Sequence, residues 1–204
     1  MLNFLSALVA LLTSYFAFKV NRLVGNSVLL AINVGFMLLG IGLLADAGTS
    51  LVSGKTLVEA YAERVLVLVA SFTYLTVQMV AYLIIALGYA RAAYSKGPGP
   101  VVPVVLAGAA VVGLYGFSIL SYFVTLILLA FIVFQGLLLR SGGKNRFSTI
   151  VLLAFGLIFA AHLVLLLSVL TLGPGLFLIG TGVQFLGFLS LLVFVVRSEA
   201  VGSG

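Results

Sequence analysis

From Gly97 to Leu139 the chain carries no charged side chain, and Arg140 is the first to follow. As one helix, residues 97–140 would run about 66 Å, twice the roughly 30 Å of a bilayer's hydrocarbon core. The stretch must fold back on itself, and the GLYGFS segment at 113–118 supplies the place to turn. Two uncharged spans in succession commit the chain to lipid. The remainder agrees: 64% of its 204 residues are hydrophobic and 7% are charged, against about 25% charged in soluble domains. Mean hydropathy is +1.39, and no polar region is long enough to form a separate soluble domain.

Apolar runs set against charged or Gly/Pro-rich breaks predict spans at 2–18, 27–45, 65–90, 100–116, 118–139, 148–171 and 175–196. The expected fold class is therefore an all-α integral membrane protein of seven transmembrane helices, a single polytopic domain over residues 1–204. The opening run lacks a basic n-region and a small-residue cleavage site, so it reads as the first span and not as a secretory signal.

Seven spans place alternate connections on alternate sides, and the basic residues then segregate. Lys19, Arg22, Arg91, Lys96, Arg140, Lys144, Arg146 and Arg197 fall on one side; Lys55 and Arg64 fall on the other. The positive-inside rule makes the richer side cytoplasmic, with the N-terminus out and the C-terminus in. Fusing the fourth and fifth spans would destroy that bias. The formal charge of +6 thus reads as a topology signal and an attraction to anionic lipid, with no nucleic-acid partner implied.

The longest outer loop, 46–64, holds Asp46, Glu59 and Glu63. Within it TLVE at 56–59 has capping-box spacing and predicts a helix start near Leu57. SGKT at 53–56 resembles a phosphate loop only superficially. Five residues separate Gly48 from Gly54 where the motif needs four, and no strand precedes it.

TVQMVAYLIIALGYAR at 76–91 returns as GVQFLGFLSLLVFVVR at 182–197, an offset of 106 that superposes Gln78 on Gln184 and Arg91 on Arg197. VLLA at 28–31 returns at 151–154, an offset of 123, and the basic KVNR at 19–22 resembles KNR at 144–146. The difference in offset is the extra length of the outer loop in the first half. A parallel three-plus-one-plus-three repeat follows, with copies at 1–91 and 118–197, a linker helix at 97–117 and a short cytoplasmic tail at 198–204. In the linker, Ala109 and Gly113 form a small-xxx-small pair suited to close helix approach.

Glutamine occurs only at 78, 135 and 184. The matched pair falls near mid-span, where an unpartnered amide costs about 2–7 kcal/mol. Either the amides join helices or they hold a ligand at the repeat interface, and Gln78, Gln184, Asn33 and His162 are the candidate ligand-binding residues. Further polar groups near mid-depth are Ser71, Thr73, Tyr74, Ser121, Tyr122, Thr125 and Ser190. His162 is the sole histidine and there is no cysteine. Bis-histidine haem ligation and thiolate metal sites are thereby excluded, and the pattern implies neither cofactor nor metal. No acid sits at mid-span to act as a base, Asp46 being the nearest approach, and no carboxylate is placed to orient His162 for a serine nucleophile. The expectation is a protein that is not an enzyme.

In layout the chain is similar to microbial rhodopsins and to the small sugar transporters of the PQ-loop and SWEET type. The rhodopsin layout implies a Schiff-base lysine in the seventh span, which has none. The transporter layout implies Pro-Gln pairs, and the closest counterpart is Phe134-Gln135. Three functional classes remain: a small-solute binder or transporter with a midplane site, a seven-helix sensor or membrane anchor acting through a partner, and an accessory subunit of a larger membrane complex or homo-oligomer. The lipid bilayer is a partner in all three.

Overall fold

The computed structural model describes residues 2–49, 57–93, 118–141 and 149–202. These form six helices: α1 Leu2–Val24, α2 Ser27–Thr49, α3 Leu57–Ala93, α4 Ser118–Ser141, α5 Thr149–Thr171 and α6 Pro174–Gly202. All six are long and apolar enough to cross a membrane, and no strand occurs among the described residues. The chain is thus an all-helical protein of multi-pass membrane character. Sequence reading predicts seven spans and the described residues contain six. The expected fourth span at 100–116, with its Ala109/Gly113 pair, lies outside them, as does the SGKT segment. α3 begins at Leu57, the start predicted by the capping spacing, and α4 begins at Ser118, where the expected turn ends.

Two tight turns fix the antiparallel hairpins. Between α1 and α2, Gly25 takes φ +65°, a left-handed conformation that glycine adopts without the Cβ penalty. Its N–H donates to Asn21 O at 2.7 Å. Asn26 then caps α2 by accepting from the Val28 N–H at 2.9 Å, the role for which asparagine is favoured at this position. Between α5 and α6, Gly173 N–H donates to Ser168 O at 3.2 Å, and Pro174 starts α6 where a missing N–H costs nothing.

Leu172 in this second turn has φ +52° and is 86% exposed. A left-handed leucine costs about 1–2 kcal/mol and gains nothing here from burial. Leu172→Gly is expected to raise the melting temperature in detergent by a few degrees, since the relief exceeds glycine's extra unfolded-state entropy. An unchanged or lower melting temperature would show that the turn carries no such strain.

The helices close into a ring in chain order: α1 on α2, α2 on α3, α3 on α4, α4 on α5, α5 on α6, and α6 back on α1. Small residues let backbones approach in the lipid-facing hairpins. Gly88 on α3 lies so close to α2 that an added Cβ would fall 2.3 Å from the Ala31 Cβ. Gly187 on α6 packs on α5, where a Cβ would meet Ala154 O at 3.1 Å and Ile158 N at 3.3 Å.

Aromatic side chains fill the centre of the ring. Phe36 and Phe188 meet edge to face across α2 and α6, ring centroids 5.3 Å apart. Tyr89 and Phe155 do the same across α3 and α5 at 5.7 Å. All four are buried. At one end of the bundle α1 and α6 are joined by an ion pair between Lys19 and Glu199, and Arg22 lies over the Phe18 ring, 5.5 Å from its centroid. Arg91, Arg140 and Arg197 fall near the ends of their helices at this same basic end.

Candidate functional site

At the opposite end, where α1, α3, α4 and α6 begin and α2 and α5 finish, the ring is not filled. A cavity of about 140 Å³ descends between the helices. Two stripes of side chains face each other across it. α3 contributes Ser71, Tyr74, Leu75 and Gln78; α6 contributes Phe177, Thr181 and Gln184. Both sets follow the three- and four-residue spacing that keeps side chains on one helix face. Asn3, Asp46, Tyr122 and Leu165 complete the wall.

Near the rim the Asn3 amide donates to the Asp46 carboxylate at 2.9 Å, joining α1 to α2. The Thr181 hydroxyl donates to Phe177 O at 2.8 Å, which leaves its lone pairs toward the cavity. Gln184 lies ten residues into α6, about 15 Å down its axis and so near half the thickness of a hydrocarbon core.

Both matched glutamines reach this cavity, and each also touches a neighbouring helix. Gln184 Nε2 donates to the Tyr74 hydroxyl at 3.4 Å, a long bond between α6 and α3. Gln78 Nε2 is hydrogen-bonded to His162 Nε2, between α3 and α5. His162 Nδ1 lies 2.8 Å from Ile158 O. A carbonyl can only accept, so Nδ1 carries the proton, and Nε2 of the neutral ring is the acceptor. Gln78 must then present its N–H to the ring, and its Oε1 is the part of the amide left for the cavity. His162 itself is fully buried behind Gln78.

Tyr82, one helical turn beyond Gln78, is fully buried with its ring edge to face with His162, centroids 5.6 Å apart. Its hydroxyl lies against the Gln78 and Gln184 amides without a well-aligned hydrogen bond to either, and it stands behind the cavity lining. A buried hydroxyl without a partner is rare enough to require a physical reason.

Of the four residues expected at a site, the structure brings three together: Gln78 and Gln184 on the wall and His162 against Gln78. Asn33 sits elsewhere. Its Oδ1 accepts from the Ser14 hydroxyl at 2.7 Å, tying α2 to α1, and it does not line the cavity. Among the other mid-depth groups, Ser71, Tyr74 and Tyr122 line the wall. Thr73 and Ser190 donate back to carbonyls of their own helices, Val69 O at 2.7 Å and Leu186 O at 2.8 Å.

Sequence reasoning did not single out Tyr82, Asn3 or Thr181. Tyr82 sits four residues from Gln78, a spacing that would have flagged it had its hydroxyl been weighed as a polar group at depth. Among the described residues no three His, Cys, Asp or Glu side chains are grouped to hold a metal ion. No protein-family model matches the chain, and neither a curated protein nor a solved structure shows significant similarity to it.

Proposed function

We propose that this is a cell-membrane protein of seven spans, N-terminus out, which binds or transports a small solute at a midplane site between two parallel three-helix repeats. The observation that carries the reading is the convergence of Gln78 and Gln184, from matched positions on α3 and α6, on one cavity closed below by aromatic rings. A cavity of about 140 Å³ is close in size to an engineered cavity of ~150 Å³ that accepts benzene. The solute is correspondingly small, about six non-hydrogen atoms.

Helix packing supports the repeat. Under the offsets of 123 for α2 onto α5 and 106 for α3 onto α6, Gly35 corresponds to Ile158 and Ala81 to Gly187. A Cβ on Gly35 would stand 3.0 Å from Ala81 O, and one on Gly187 would stand 2.6 Å from Ile158 Cγ1. Likewise Gly42 corresponds to Leu165 and Tyr74 to Gly180; Gly42 abuts Tyr74 and Gly180 abuts Leu165. Equivalent crossings recur, with the glycine moved from one helix to its partner. A two-fold relation also pairs the contact of α3 on α4 with that of α6 on α1.

The seven-span topology has support of its own. α3 ends at the basic end and α4 starts beside Ser71 and Tyr74 at the opposite one, the arrangement that a span between them calls for. The basic end then faces the cytoplasm and the cavity opens outward.

The absence of native cysteine makes a direct test simple. In right-side-out vesicles, Ser71→Cys and Thr181→Cys are expected to react with a membrane-impermeant methanethiosulfonate, as is the exposed reference Leu172→Cys. Arg197→Cys should react only after permeabilisation. Inert Ser71→Cys and Thr181→Cys variants beside a reactive Leu172→Cys would mean a sealed interior and overturn the solute reading. In that event the second reading gains: the bonds from Gln78 to His162 and from Gln184 to Tyr74 would serve only to join helices within an accessory subunit.

A further inference from the structure

Resting on the solute reading, the geometry points to a ligand class: we propose that the cavity floor binds a small uncharged solute presenting at least two N–H or O–H donors and one acceptor oxygen, the chemistry shared by small carboxamides and short polyols.

The hydrogen bonds already made on the floor determine what it has left to offer. His162 has its Nδ1–H committed to Ile158 O, so its Nε2 takes a proton from Gln78. That bond fixes which way the Gln78 amide faces and leaves Oε1 as its free acceptor. Gln184 spends an N–H on Tyr74, leaving its own Oε1 as a second acceptor on the opposing wall. Two carbonyl oxygens on facing helices call for two donors on one molecule.

The complementary group is hydroxylic. The Tyr74 oxygen accepts from Gln184, so its O–H hydrogen is available to point elsewhere. The Tyr82 O–H lies behind the two amides, outside the lining, so the hydroxyl that faces the solute is that of Tyr74. An acceptor oxygen held beside Tyr74 would satisfy that O–H, whereas an apolar solute would leave the hydroxyl and the two carbonyl oxygens unpaired at a cost of about 1–3 kcal/mol each.

Charge argues the same way. Among the described residues the floor holds no ionised side chain, and its one imidazole is held neutral by its two hydrogen bonds; the acid of the wall, Asp46, is at the rim and engaged with Asn3. An ion taken to the floor would give up hydration for dipoles alone, the costly case at membrane depth. A neutral solute pays far less, and its size is bounded by the cavity.

The probes are acetamide and glycerol, with N,N-dimethylacetamide as the control that keeps the acceptor oxygen and lacks the N–H donors. The reporter is the rate at which Thr181→Cys reacts with the methanethiosulfonate. Solute held at about twice its Kd should slow modification about threefold by occupancy. Acetamide, glycerol or both are expected to protect, and dimethylacetamide is not. Protection by acetamide alone assigns a carboxamide or urea-like solute, and by glycerol alone a polyol. Adding Gln78→Leu or Gln184→Leu should abolish protection while Thr181→Cys still reacts without solute, which establishes that the cavity persists. Tyr74→Phe should weaken protection, because the hydroxyl that meets the acceptor oxygen is gone.

Equal protection by dimethylacetamide, protection that survives both glutamine substitutions, or no protection by either donor-bearing probe would overturn the ligand class. Reactivity of Thr181→Cys without solute belongs to the test of the open cavity and stands or falls separately.

Discussion

Gly88→Ala is expected to lower the melting temperature of the detergent-solubilised protein by several degrees, and Ala31→Gly in the same chain to bring it back. Ordinarily an alanine replacing a mid-helix glycine stabilises by about 0.5–1 kcal/mol, because the unfolded chain loses freedom. At residue 88 the new Cβ would lie 2.3 Å from the Ala31 Cβ and 3.4 Å from Ser27 O. Ala31 has no rotamer with which to withdraw, so α2 and α3 must separate along a hairpin that also packs Gly35 against Ala81. Overpacking of that kind costs about 1–3 kcal/mol, which outweighs the propensity gain. Removing the Ala31 methyl transfers the notch to the facing helix and restores the approach. Gly156→Ala supplies the contrast, since nothing lies within 4 Å of its added Cβ; there the melting temperature should rise. Thermal unfolding of the parent and the three variants checks the sign at each position. A Gly88→Ala variant as stable as Gly156→Ala would mean that the two helices are not in contact at this crossing.

That crossing also illustrates what the sequence could and could not disclose. The helices and most of their boundaries were legible because twenty apolar residues in a row have one economical conformation in lipid, which leaves no other way to satisfy backbone groups. Gln78 and Gln184 were legible as important because an amide in such a run is costly and therefore rare. Their partners were not. Whether Gln78 meets His162 or Asn33 depends on the rotation of each helix about its axis, and the all-round hydrophobicity of α2 and α5 gives no polar face from which to read it. Asn33 accordingly faces Ser14 on α1 and not the glutamines. The rim was hidden for another reason: Asn3, Asp46, Tyr122 and Thr181 come from four helices, and only the closed ring brings them together. Tyr82 reads as core by its ring and is core by its burial; what sets it apart is the hydroxyl between the two amides.

The Gln78–His162 pair separates a joining role from a binding role, because the two make opposite demands on a double variant. Gln78→Leu leaves the Nε2 lone pair of a fully enclosed imidazole without a donor, a loss of about 1–3 kcal/mol and a lowering of the melting temperature by up to about 10 °C. His162→Leu should cost less. The amide it abandons borders the cavity, where water or solute can reach it, whereas His162 is fully buried. In the double variant both polar groups are gone, and stability should recover most of what Gln78→Leu lost, since two apolar groups of similar shape replace a satisfied pair at little net cost. If the pair only joins helices, that recovery restores the protein. If Gln78 Oε1 receives a solute and His162 sets which way the amide faces, the double variant is stable and fails to bind. His162→Leu then keeps the glutamine but frees it to rotate, so protection of Thr181→Cys by donor-bearing solutes weakens without a matching loss of stability. Thermal unfolding and cysteine protection on the same four proteins distinguish the cases, and a stable double variant that retains full protection would remove both residues from the site.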